Sequence, residues 1–158
     1  MTAQDFLLVA GEVVRGVAAG SLGVFAGAML TEAGVLVPYY WRSLEATEFY
    51  EWYGANARRL VGFFGPLTWL GGVSALVGAL LSLWTRHASA PAATVAAALT
   101  LAIVATFPIY FKRANASFVS GTNDAVGLRE ELGRWAAWHR VRTALSLGGL
   151  VAAIVASR

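Results

Sequence analysis

Residues 60–84 and 88–111 contain no charged side chain at all. A hydrocarbon layer about 30 Å thick is crossed by roughly 20 helical residues, so each run is long enough to span a membrane. This constrains the fold more than any other feature of the chain. Composition agrees: 58% of the 158 residues are hydrophobic and 13% are charged, about half the charge of an ordinary soluble domain. Residues 17–37 are equally apolar except for Glu32, and residues 136–157 complete a fourth span when their polar N-terminal end lies in the interface. The sequence predicts an all-α, integral membrane four-helix bundle, up-down-up-down, in one domain over residues 1–158, with spans over about 14–38, 59–84, 90–111 and 136–157. The short link from Trp84 to Pro91 makes spans two and three antiparallel neighbours.

The joints are readable. Pro38, followed by Tyr39, Tyr40 and Trp41, is expected to end span one at an aromatic belt. Pro91 suits the first turn of span three, and Pro108 comes near its end. Pro66 removes a backbone hydrogen bond near the start of span two and bends it, which we take as a structural role. The opening MTAQDFLLVAGEVVRG has an acidic residue before its short apolar stretch and no basic start, so it is expected to remain as part of the first helix. With no cysteine there is no disulfide, thiolate nucleophile or thiolate metal site. Gly16, Gly20, Gly23, Gly27 and Gly34 fall on one helical stripe. Helices in lipid approach through small residues, so this face is expected to meet another helix, of this chain or of a second copy in a homo-oligomer.

Basic residues set orientation. Nine of the twelve, Arg42, Arg58, Arg59, Lys112, Arg113, Arg129, Arg134, Arg140 and Arg142, belong to the end formed by loops one and three; Arg15, Arg86 and Arg158 belong to the other. Loops one and three are therefore expected in the cytoplasm, with the termini outside and the chain in the cell membrane. The same end collects the polar groups: Glu32 from span one, Asn56 and Arg59 from span two, Tyr110, Lys112 and Asn115 from span three, and Trp135, His139 and Arg142 from span four. His87, in the short opposite loop, is expected to be solvated.

Helical spacing sharpens the candidates. Leu128, Leu132, Trp135, His139 and Arg142 share one face of a helix capped by Asn123 or Asp124, and the leucines mark that face as inward. Glu48, Trp52, Asn56, Arg59 and Phe63 form a similar stripe, with Thr47 as its cap. A carboxylate inside a span costs on the order of 3 kcal/mol on insertion scales, so Glu32 is expected inside the bundle, paired or facing a wet cavity. Arg59, Lys112 and Arg142 are its candidate partners.

The segments GVFAGAMLTEAGVLVP, FPIYFKRANASF and WAAWHRVRTALSL together resemble the anthrone oxygenase-like family of small four-helix membrane proteins. The resemblance covers nearly the whole chain and rests on Pro38, Pro108, Asn115, Trp135, His139 and Arg142. Where many relatives read proline-isoleucine-asparagine, this chain has Pro108, Ile109 and Tyr110, and carries its asparagine at Asn115. The resemblance implies an oxygenase acting with dioxygen on a hydrophobic, aromatic or polyketide-like substrate, with no cofactor. Such a substrate has an acidic C–H, so the protein needs a base, a cation for the oxyanion and a flat apolar slot. On this reading His139, Glu32 and Arg142 are catalytic, with His139 as base and Arg142 or Arg59 as oxyanion partner. Trp135, Asn115, Tyr110, Asn56, Arg59, Trp52 and Lys112 bind substrate.

Two other classes remain open at the level of sequence. A metal-dependent oxidoreductase would hold a single iron, copper, manganese or zinc ion with His139 and Glu32, Glu48 or Glu51, although no Glu-x-x-His pair occurs. A non-enzymatic small-molecule binder or assembly subunit would need only the glycine stripe and the basic end. No phosphate loop, nucleophile elbow or HExxH pattern is present. The basic excess lies at membrane boundaries, where the expected partner is the lipid bilayer and not nucleic acid.

Overall fold

A computed structural model describes residues 2–158, apart from the side chains of Tyr40, Trp41 and Arg42. Those three, expected in the aromatic belt and among the orienting basic residues, lie outside the described residues. The fold is all helical, with no strand among the described residues. α1 (Ala3–Thr31) passes through a π-helical turn (Glu32–Leu36) into α2 (Val37–Ser43); α3 (Ala46–Trp84) follows. Then α4 (Ala90–Thr106) passes through a second π-helical turn (Phe107–Phe111) into α5 (Lys112–Ser120), and α6 (Ala125–Ala156) closes the chain. The result is four long rods. Three, Ala3–Tyr39, Ala46–Trp84 and Ala90–Ser120, are long and apolar enough to cross a membrane. α6 concentrates its charges in its N-terminal half and its apolar residues beyond Thr143.

The rods outrun the apolar stretches because caps, not hydropathy, decide where they start. α3 begins far upstream of residue 59, and its cap is Glu45 rather than Thr47: Glu45 and Glu48 form a reciprocal capping box. Asp124 caps α6 by accepting a hydrogen bond from the Gly127 N–H at 2.8 Å. Gly121 ends α5 in the left-handed conformation, φ 61°, which glycine adopts without strain. Pro38 does not end its helix, contrary to expectation. The π-helical turn before it inserts one extra residue, and the proline falls in the first turn of α2, where its missing N–H is tolerated.

α1 packs against α3 and α6, and α4 packs against the same two helices, so the rods form a ring with α1 and α4 diagonal. One end of the ring is filled by alanines, including Ala18, Ala75, Ala93 and Ala156. The other is filled by rings, including Phe49, Tyr53, Phe118 and Trp135. The expected glycine stripe does not serve the contacts within this chain. Gly16, Gly20, Gly27 and Gly34 have open space where a Cβ would stand, and Gly23 alone of the five approaches another helix, at Leu150. Close approach falls to other glycines: a Cβ on Gly78 would sit 3.2 Å from Arg15 Cγ, and one on Gly148 3.3 Å from Leu99 Cδ1.

Gly78→Leu is therefore expected to lower stability by about 1–3 kcal/mol through overpacking, read as a lower melting temperature in detergent. Gly20→Leu, on the open face, should leave the melting of a single copy unchanged.

Two residues assigned to the opposite end differ from expectation. Arg15 is buried inside the bundle, where its Nη1 donates to Ser82 Oγ at 3.1 Å. His87 is half-buried and folded onto its own loop, its Nδ1 lying 3.1 Å from the Ser89 N–H that donates to it.

Candidate active-site cavity

The inward face of α6 is the one its leucines mark: Leu128, Leu132, Trp135 and His139 are all buried, and Arg142 follows one turn later. Opposite them, Glu32 opens the first π-helical turn with only 4% of its surface exposed. Thr143 ties the two elements together, its hydroxyl lying 3.4 Å from the Met29 carbonyl of α1. Glu32 Oε2 thereby comes to 3.7 Å from His139 Nδ1. The imidazole is wedged edge-to-face between Trp135 and Phe111, with ring centroids 4.3 and 4.9 Å away. The Arg142 guanidinium lies over the rings of Phe111 and Phe25, 4.8 and 5.4 Å from their centroids. Its charge acts on Glu32 through space, without a direct ion pair among the described residues.

These groups face a cavity of about 460 Å³, within the range of small-molecule sites. Glu32, Asn115, Trp135, His139 and Arg142 line it, with Phe111 and Tyr53 supplying flat apolar wall. Asn115 Oδ1, both ring nitrogens of His139 and Arg142 Nε have no hydrogen-bond partner among the described residues. Buried polar atoms are nearly always bonded. Four exceptions on three residues around one cavity make a site complementary to a ligand with its own polar atoms. Both π-helical turns border it, through Glu32 and through Phe107, Pro108 and Phe111; such turns are frequent at functional sites.

The other predicted site residues lie elsewhere. Arg59 and Lys112 are exposed and off the cavity, so neither is the partner of Glu32. Trp52 packs on the aromatic cluster, and Asn56 Nδ2 donates to the Trp52 carbonyl at 2.8 Å, within the same helix. Both miss the cavity because the inward face of α3 is set by Phe49, Tyr53, Leu60 and Phe64. That face is about 100° round the helix from the one expected. Glu48 and Glu51 are exposed there too, away from His139. Among the described residues no three His, Cys, Asp or Glu side chains come together. His139 and Glu32 are the imidazole and carboxylate that a metal at this site would meet.

Tyr110 is buried but stands behind the wall. Its hydroxyl donates to Glu131 Oε1 at 2.7 Å, and its ring stacks on Trp138 at 5.3 Å. Burial pushes the Glu131 carboxyl up, but hydrogen bonds from Arg134 and Tyr110 outweigh it and hold the group below its ordinary value. A depressed carboxyl stabilises the fold above its unfolded-state pKa and loses that contribution as pH falls through the folded-state value. Tyr110→Phe removes a hydrogen bond to a charged group, typically about 1.5–3 kcal/mol. Its melting temperature should fall at neutral pH, and the gap from wild type should close as the buffer is acidified below about pH 4, near the ordinary range of a glutamate.

Sequence reasoning missed Tyr53, Phe64, Phe111 and Glu131. The four-residue step from Phe49 to Tyr53 carried a signal for the first of these; Phe111 was hidden by the π-helical turn, which breaks the 3.6-residue count. No family model, curated protein or solved structure matches the chain.

Proposed function

We propose that this chain is a membrane-embedded oxygenase whose helices cross the bilayer up-down-up-down. Its substrate is a hydrophobic ring compound with an acidic CH₂ group, held in the cavity. The observation that carries this reading is the grouping of buried Glu32 and His139 with half-buried Arg142 around one apolar space. Base, carboxylate and fixed cation are what proton abstraction from carbon requires.

The chemistry balances with dioxygen as the oxidant. His139 takes one proton from the CH₂ group, and the negative charge spreads onto the ring oxygen, which Arg142 stabilises. Glu32, beside Nδ1, stabilises the imidazolium that forms. The carbanion passes an electron to dioxygen, and the two radicals combine into a peroxide anion bonded to that carbon. Protonation by the imidazolium gives a hydroperoxide. Loss of the second carbon proton and cleavage of the O–O bond then release water and leave a carbonyl. One dioxygen is consumed per substrate, with one oxygen atom in each product.

The test is oxygen uptake by the protein in lipid nanodiscs against a panel of anthrone-type compounds, with ¹⁸O₂ as label. Uptake above the spontaneous rate, with one labelled oxygen in the new carbonyl, is expected. No enhancement for any member of the panel, with ring binding intact, would leave the cavity as a binding site without this chemistry.

A further inference from the structure

Resting on that reading of the cavity, we propose that it opens sideways into lipid and draws its ligand, a flat ring with an acidic or keto oxygen, from the bilayer, so that an alkyl or isoprenoid tail on that ring is accommodated. The ring enters first and the tail stays in the bilayer.

The cavity has two unlike ends. Its inner end is the buried one, where His139 is 2% exposed and Glu32 nearly as enclosed. Its outer end is formed by Val61, Trp69 and Phe107, which line the same space yet are 61%, 67% and 47% exposed. Side chains that both line the space and stand largely exposed mark the side on which it reaches the bundle surface. The mouth lies between α3 and the segment where α4 gives way to the second π-helical turn. On the α3 side, Val61, Gly65, Thr68 and Trp69 follow helical spacing along one face. Gly65 leaves the gap unfilled, since a Cβ there would meet nothing within 4 Å. Both sides of the mouth belong to the charge-free runs, residues 60–84 and 88–111. An opening framed by charge-free helix faces meets hydrocarbon, not water.

This polarity dictates how a ligand lies. An oxygen-bearing ring gains the Arg142 charge and the unpartnered Asn115 and His139 atoms at the inner end. An alkyl tail gains nothing by following it, because lipid is as apolar as the protein wall. A tail should therefore neither add nor remove affinity once concentrations are expressed per lipid. A cavity filled from water and closed around its ligand would instead reject the tail for want of room.

The experiment uses the full chain in lipid nanodiscs under anaerobic conditions, with a hydroxyanthrone ring and the same ring carrying a decyl chain. Binding is read by quenching of tryptophan emission, with Kd expressed as mole fraction of lipid. The two ligands are expected to agree within about threefold, since the tail does not change its surroundings. Val61→Trp and Gly65→Leu narrow the mouth at positions with open space beside them. Each should weaken the decyl ligand by about tenfold or more, ~1.4 kcal/mol, with helix content and melting unchanged. Binding of the bare ring but not the decyl ring would overturn the proposal, as would full decyl binding by both mouth variants. Failure of both rings to bind the wild type would remove the underlying reading as well, a result distinct from either of these.

Discussion

His139→Gln is expected to cut oxygen uptake by about 10²-fold or more, the usual scale for loss of a positioned base, while leaving helix content intact. Glutamine keeps most of the side chain's volume and its polarity, so the edge-to-face packing against Trp135 and Phe111 is disturbed less than by alanine. It cannot accept and return a proton at neutral pH. The loss should appear in kcat with little change in substrate affinity, because the ring is held by the cavity walls. A purely structural histidine predicts the opposite pattern: a lower melting temperature and unaltered turnover of whatever protein remains folded.

Arg142→Met should have a comparable effect by two separable routes. Removing a preorganised charge from a developing oxyanion typically costs about 10²–10³-fold in kcat, and the variant also leaves Glu32 buried without its compensating cation. Although the two groups form no direct ion pair, a carboxylate left buried without a nearby cation is costly, so the single variant should melt below wild type. Glu32→Gln combined with Arg142→Met takes away both charges and should recover much of that stability, though none of the activity. Arg142→Lys keeps the charge but loses the planar group stacked on Phe111 and Phe25. It should impair turnover less than Arg142→Met and melt between Arg142→Met and wild type. If the double variant melted no higher than Arg142→Met alone, the two charges would not be energetically coupled.

The parts of this site that could be read from the chain are those for which spacing and cost speak together. His139 and Arg142 share a leucine-marked face, and α6 is regular from Asp124 onward, so the counting holds. Glu32 stands alone in an apolar run, and a carboxylate there has no low-energy place outside the bundle. Arg59 and Lys112 illustrate the limit. A cation at a membrane boundary satisfies itself in water as readily as in a site, and sequence does not separate the two. The inward face of α3 was obscured because its polar stripe and its aromatic stripe, Phe49 and Tyr53, lie side by side. The two π-helical turns had no signature in periodicity: an inserted residue shifts the phase of everything after it, which is why Phe111 faces the cavity and Lys112 does not. Glycine spacing marked a face that is open, whereas the glycines in close contact, such as Gly78, sit among alanines and stand out only in three dimensions.

In the proposed reaction the Glu32–His139–Arg142 cavity removes a proton from carbon before oxygen takes part. The most direct measurement is anaerobic exchange of the acidic C–H of an anthrone-type ring in D₂O, followed by NMR in the presence of the protein in nanodiscs. Deuterium incorporation faster than the spontaneous rate is expected with wild type, and the spontaneous rate with His139→Gln. Exchange at the same accelerated rate with His139→Gln, or no acceleration by a wild-type protein that binds the ring, would rule out proton abstraction by His139.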